Sequence, residues 1–183
     1  MEKVVELRRH TASDGDRLTP EGISAAVEIG RRLSDGYDLL ISSGAQRATQ
    51  TMACFLAGLG KRLPCGVMVD EAFRSHVEER WFAAAKETGG GGLEAFRRVD
   101  EELVRGQADR FGKALRRVFN LLPAGGRALI VGHSPTQEVA VYGLTGEIVP
   151  PISKGAGVTV VQDGEHFSVQ DLATRGRAER GPR

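Results

Sequence analysis

Val4-Val5-Glu6-Leu7-Arg8-Arg9-His10-Thr11 is an apolar run that ends in a cluster of cations. The run reads as a short strand. A histidine between arginines at a strand end is chemically unusual. Neighbouring guanidiniums disfavour the imidazolium, which leaves a ring nitrogen free to act as a nucleophile. The same arginines can hold a phosphate dianion through paired hydrogen bonds. The competing reading is a surface histidine at the start of a loop, beside two solvated arginines.

Working outward, Thr11 to Leu18 is polar and turn-rich. Thr19-Pro20-Glu21 then has the marks of a helix start: Thr19 as N-cap, Pro20 in the first turn, Glu21 complementing the dipole. Ile23, Ala26, Val27, Gly30 and Leu33 continue at helical spacing, and Asp35-Gly36 is the expected stop. Asp38-Leu39-Leu40-Ile41-Ser42 reads as a strand covered on both faces, because its apolar residues are continuous rather than alternating. After a Ser43-Gly44 turn, a helix is expected from about Ala45 to Leu59, with Arg47 in its first turn. A cation there opposes the helix dipole. It makes sense if it joins the helix N-terminus in binding an anion; the alternative is a solvated arginine.

Gly66 to Val69 is a third short strand candidate, and Asp70 to Thr88 reads as a partly helical insertion. Gly89 to Gly92 is a flexible loop that lacks the Lys and Ser/Thr of a phosphate-binding P-loop. Leu93 to Leu122 is helical, with a break expected at Gly106 and its arginines on a solvated face. Ala128-Leu129-Ile130-Val131 is the clearest buried strand, and it delivers Gly132-His133-Ser134-Pro135. Ser134 as N-cap, Pro135 at the first position and Gln137 completing a capping box predict a helix running to Leu144. Val158–Val161 and Phe167–Val169 read as a hairpin turned at Asp163-Gly164.

The alternation of strands and helices implies an α/β fold with a mainly parallel sheet. At 183 residues the chain is about one domain long, taken as residues 1–172 with an Arg-rich flexible tail at 173–183. A net charge of +1 supplies no field for nucleic acid or a membrane surface, and 5% aromatic residues leave little for base stacking. Cys54 and Cys65 are too few and too far apart for a zinc knuckle or redox motif. Glu2, Lys3 and Glu6 interrupt any secretory apolar region, and no run approaches the roughly 20 residues of a membrane span. The expected location is cytoplasmic.

His10, Arg47 and His133 each follow a strand. In a parallel α/β sheet, ligands bind outside the carboxyl ends of the strands, so three basic residues are expected along one edge. Two histidines and two arginines without a carboxylate cluster suit an anionic substrate. A two-histidine zinc site would need a third ligand, and none is evident, so neither metal nor cofactor is expected.

Four blocks then carry a resemblance. Leu7-Arg8-Arg9-His10-Thr11 resembles the Arg-His-Gly motif of the histidine phosphatase superfamily, also called phosphoglycerate mutase-like. Leu18-Thr19-Pro20-Glu21-Gly22 is similar to the Leu-Thr-x-x-Gly that follows it. Ile41-Ser42-Ser43-Gly44-Ala45-Gln46-Arg47-Ala48-Thr49-Gln50-Thr51 is similar to the Ser-Ser-x-x-x-Arg-Ala-x-x-Thr block, and Val131-Gly132-His133-Ser134-Pro135 matches the second-histidine motif. The blocks stand in family order over about Lys3 to Leu144. The resemblance implies a three-layer α/β/α fold and a phosphohistidine intermediate on His10. It also implies that Arg9, Arg47 and His133 hold the phosphoryl oxygens, with backbone donors near Ser134.

Two departures accompany it. Thr11 replaces the family's glycine. The Leu-x-Glu segment that carries the proton donor in many members corresponds here to Phe73-Arg74-Ser75. Glu71, Glu78, Glu79 and His76 are the alternatives for that donor. Without an acid, substrates with good leaving groups are favoured, and phosphohistidine is one. The short chain and the Gly-His-Ser-Pro form are similar to small phosphohistidine phosphatases. The expected partner is therefore a small phosphorylated metabolite or a phosphohistidine protein. Phosphoglycerate mutase-type transfer and a non-enzymatic phosphate-sensing or scaffold domain are the other readings.

Overall fold

β1 (Lys3–Arg9) is the opening apolar run. A small hairpin follows, β2 (Ser13–Asp14) and β3 (Arg17–Leu18), where the sequence suggested only a polar loop. α1 (Pro20–Gly30) starts as expected, with the Thr19 side chain accepting from the Gly22 amide. It ends earlier than Asp35-Gly36. After Gly30 the chain tightens into shorter-range bonds, Arg32 N–H to the Ile29 carbonyl and Leu33 N–H to the Gly30 carbonyl, a common way for a helix to use its last carbonyls. Ile23, expected on the buried face, is exposed.

β4 (Leu39–Ser42), α2 (Gln46–Leu59) and β5 (Val67–Val69) come next. The insertion folds into a 3-10 turn at Glu71–Phe73 and α3 (Glu78–Glu87). α4 (Leu93–Val99) and α5 (Glu101–Leu121) replace the single long helix. The break falls at Asp100 rather than Gly106. Asp100 leaves the helical conformation, caps α5 by accepting from the Leu103 amide, and takes a two-pronged ion pair from Arg80. A capping side chain with a charged partner decides the boundary more strongly than a tolerated glycine. β6 (Arg127–Gly132), α6 (Thr136–Thr145) and the hairpin of β7 (Gly157–Asp163) and β8 (His166–Asp171) complete the chain.

This computed structural model describes residues 1–34 and 36–172. Asp35, and the tail expected at 173–183, lie outside the described residues. The sheet order is β5-β4-β6-β1-β7-β8, with the first four strands parallel and the last two added antiparallel. Side chains alternate across it. Val5, Leu7, Ile41, Ala128 and Ile130 pack under α5 and α6, joined by Trp81 and Phe96 from α3 and α4. Leu40, Leu129 and Val131 pack against α1 and α2 through Ala26, Ala48, Met52 and Phe55. The result is three layers, α/β/α. β5 lies at one rim, and Val67, Met68 and Val69 are all exposed. Among the described residues, no strand pairs with its outer side.

β6 is inserted between β4 and β1, so connections from the central strands leave in opposite directions. This is the switch point at which doubly wound sheets open a crevice. Arg9 pairs with Gly132, and Ser42 with Val131. The next residues, His10, Ser43 and His133, therefore emerge side by side at the carboxyl ends of three neighbouring strands.

Candidate active site

His10 is almost fully buried. Its backbone N–H donates to the Gly132 carbonyl, which ties the end of β1 to the end of β6. Its ring Nδ1 lies 2.8 Å from the Thr11 carbonyl. A carbonyl can only accept, so Nδ1 carries the hydrogen and Nε2 keeps its lone pair. Burial pushes the imidazole down to about 4; Arg47, Arg9 and Lys154 push the same way, and the Thr11 carbonyl opposes them. At neutral pH His10 is thus an uncharged base with one nitrogen free.

The His133 ring centroid is 5.3 Å from that of His10. Its Nε2 is 2.8 Å from Ser43 Oγ, and its Nδ1 is buried without a partner. Burial is the main cause that takes His133 down to about 3, followed by Arg47, His10 and Arg74.

Arg9 donates from Nη1 to the Ile152 carbonyl, and its buried Nε has no partner. Burial lowers its pKa, and Glu138 opposes that shift. Arg47 lies in the first turn of α2, whose N-cap residue, Ala45, offers no side-chain bond. Asp16 supplies that cap from the β2–β3 hairpin. Its carboxylate accepts from the Gln46 and Arg47 amides and, at 3.0 Å, from Arg47 Nη1. Those amides and the guanidinium hold Asp16 below its ordinary range against its burial. The anion expected at this helix start is therefore, in the unliganded chain, an internal carboxylate.

Arg9, Arg47, His133, Ser134 and Glu138 line one cavity of about 270 Å³. His10 is not on its wall; its ring lies next to that of His133, which is. Of the proton-donor alternatives, Glu78 lines this cavity and also, with Glu71, His76 and Glu79, the hollow that adjoins it. Ser75, which stands where the family's glutamate was sought, also lines the cavity. Among the described residues, no three His, Cys, Asp or Glu side chains gather as a metal site requires.

The helix after His133 differs from its expected cap. Pro135 is the N-cap residue, no side chain caps the helix, and the capping box does not form. Gln137 instead reaches the Arg8 carbonyl at 2.6 Å, and Ser134 Oγ donates to Glu138. Both side chains prefer long-range or buried partners to the local turn.

Four neighbours were not singled out from the sequence: Asp16, Arg74, Lys154 and Glu138. Glu138 is buried, accepts from Ser134 Oγ and the Ile152 amide, and its other oxygen has no partner. Burial raises its pKa against those two bonds. It ties the second-histidine turn to the loop that Arg9 also grips. Gly22 of the second block has a steric reason: a Cβ there would lie 2.0 Å from the Ala12 carbonyl oxygen. Only glycine lets α1 come so close to the segment after His10.

No helix among the described residues is long and apolar enough to cross a membrane. The family model "Histidine phosphatase superfamily (branch 1)" matches residues 5–152. No curated protein matches the chain significantly. Among solved structures, the chain is similar to a phosphoserine phosphatase from Entamoeba histolytica, with 15% identity, TM-score 0.72, and coverage of 92% of this chain and 95% of that one. It is also similar to a phosphoglycerate mutase from Bacillus anthracis, with 16% identity, TM-score 0.69, and coverage of 93% and 92%. A mycobacterial glucosyl-3-phosphoglycerate phosphatase gives 16% identity, TM-score 0.68, and coverage of 93% and 98%. At such identities the likeness is one of fold, whereas the family match spans most of the sequence. The chain belongs to the histidine phosphatase superfamily, branch 1, and is an enzyme of the phosphate-ester-hydrolysing class.

Proposed function

We propose that the protein is a metal-independent phosphatase that hydrolyses phosphomonoesters or phosphohistidine through a phosphohistidine intermediate on His10. The observation that carries this is the state of His10: buried, with Nδ1 bonded to the Thr11 carbonyl, beside His133 and near enough to Arg47 and Arg9 for both to disfavour its charged form. A neutral imidazole with a fixed tautomer is a competent nucleophile. Nε2 forms a bond to phosphorus as the bond to the leaving group breaks, P–O in a phosphomonoester and P–N in phosphohistidine. Arg9, Arg47 and His133 stabilise charge on the non-bridging oxygens. His133 gains its proton more readily once a dianion lies beside it. Glu78, through its place on the cavity wall, is the favoured donor to the leaving oxygen. Water then cleaves the P–N bond and restores the free imidazole.

The catalytic unit in this reading is one domain, residues 1–172, acting on a small phosphorylated metabolite or a phosphohistidine protein. The free thiols of Cys54 and Cys65 fit a reducing, cytoplasmic setting. His10→Ala is expected to abolish p-nitrophenyl phosphate hydrolysis, by at least about 10³-fold, while the unfolding transition survives. Wild-type turnover should persist in EDTA and yield an acid-labile phosphoenzyme. Unchanged turnover in the variant would remove the mechanism. Phosphate binding with no phosphoenzyme would favour a sensing domain.

A further inference from the structure

The cavity that His133 lines carries two unlike kinds of side chain. Arg9 and Arg47 are its cations, and much of the rest is Trp81, Phe82, Leu93, Phe96, Pro135 and Pro151. Trp81 and Phe96 meet edge to face, 5.7 Å apart, and form an aromatic wall. Phe82 is 70% exposed, a large apolar side chain left at the rim. Among the described residues, the carboxylates on the lining are Glu78 and Glu138, and no cation other than Arg9 and Arg47 lines it.

We infer that the preferred substrates carry their phosphate on an apolar, ring-sized alcohol, and that a second acidic group on the substrate is selected against. This rests on the phosphatase reading and deepens it. With the phosphate held by Arg9, Arg47 and His133, the group it is attached to lies against the rest of the lining, much of it aromatic side chains and proline. An apolar group gains by leaving water there. A hydroxylated or carboxylated group would lose hydration against those side chains, and a carboxylate would find on the lining, among the described residues, no cation beyond the two that hold the phosphate. Size agrees: a dry cavity of about 150 Å³ holds a benzene ring, and about 270 Å³ is room for one ring with its phosphate.

The test compares benzyl phosphate with glycerol 3-phosphate and 3-phosphoglycerate. All three are alkyl esters, so leaving-group chemistry is nearly constant and the ring is the variable. Benzyl phosphate should show at least tenfold higher kcat/KM than glycerol 3-phosphate, and 3-phosphoglycerate the lowest of the three. Phe82→Ser, at an exposed position, should narrow the benzyl-to-glycerol ratio at least threefold. In parallel, calorimetry on the wild-type protein compares benzylphosphonate with 2-hydroxyethylphosphonate, neither of which can be hydrolysed; tenfold tighter binding of the first is expected. Equal kcat/KM values, equal affinities or a preference for 3-phosphoglycerate overturn the inference. If no ester turns over but benzylphosphonate still binds more tightly, the phosphatase reading fails and the specificity of the cavity stands.

Discussion

His10 and His133 are kept neutral by burial first and by surrounding cations second. The consequence is measurable in two ways. In an NMR titration, the His10 ring should protonate near 4 and His133 near 3. The unfolded chain accepts the His10 proton at 6.5 and the folded one only at about 4. The unfolded state therefore binds more protons in that window, and stability is lost as pH falls from about 6.5 toward 4. For His10 the gap corresponds to about 3 kcal/mol. His10→Ala should flatten that limb of the curve in chemical denaturation. A His10 signal moving at 6.5 or above contradicts the neutral imidazole on which the proposed mechanism rests. At this scale the sequence was informative where a side chain follows a strand end, as with His10, Arg47 and His133. It was silent on Asp16, Arg74, Lys154 and Glu138, whose roles depend on contacts made only after folding. Glu138 reads as an ordinary helix residue until the Ile152 amide closes on it.

Elements are held at fixed distances by glycines as much as by side chains. α5 and α6 cross so closely that a Cβ on Gly143 would lie 1.9 Å from the Ala108 carbonyl oxygen. Replacing a mid-helix glycine by alanine ordinarily gains about 1 kcal/mol. Here the obstacle is backbone and cannot swing aside, so overpacking decides the sign. Gly143→Ala should destabilise by about 2 kcal/mol or more in urea unfolding. Gly106→Ala, where a Cβ meets nothing within 4 Å, should be neutral or stabilising by up to about 1 kcal/mol. The reverse order would discredit this account of the α5–α6 contact. The helical stretch Leu93 to Leu122 is legible in the sequence, but the boundary at Asp100 depends on Arg80, twenty residues upstream, which a local reading of the sequence does not supply. Gln137 was misread for the same reason, since its partner is the Arg8 carbonyl on β1.

Across the whole molecule, the architecture was the most legible level. Continuous apolar strands separated by amphipathic helices leave few alternatives to a covered, mainly parallel sheet. Strand order was less accessible: nothing in the sequence near 127–132 says that this late strand inserts beside the first one. That insertion opens the crevice and brings residues 10 and 133 together. Among the described residues, the same topology leaves β5 with its outer backbone unpaired and three apolar side chains exposed. A bare strand margin of this kind is a template on which partly unfolded copies can stack into insoluble arrays. Heated solutions should therefore turn cloudy through this seam before the catalytic centre is lost. Met68→Lys, a charged gatekeeper on the strand, should delay the onset of light scattering while leaving the calorimetric midpoint within about a degree or two. Unaltered scattering would place the weak point elsewhere.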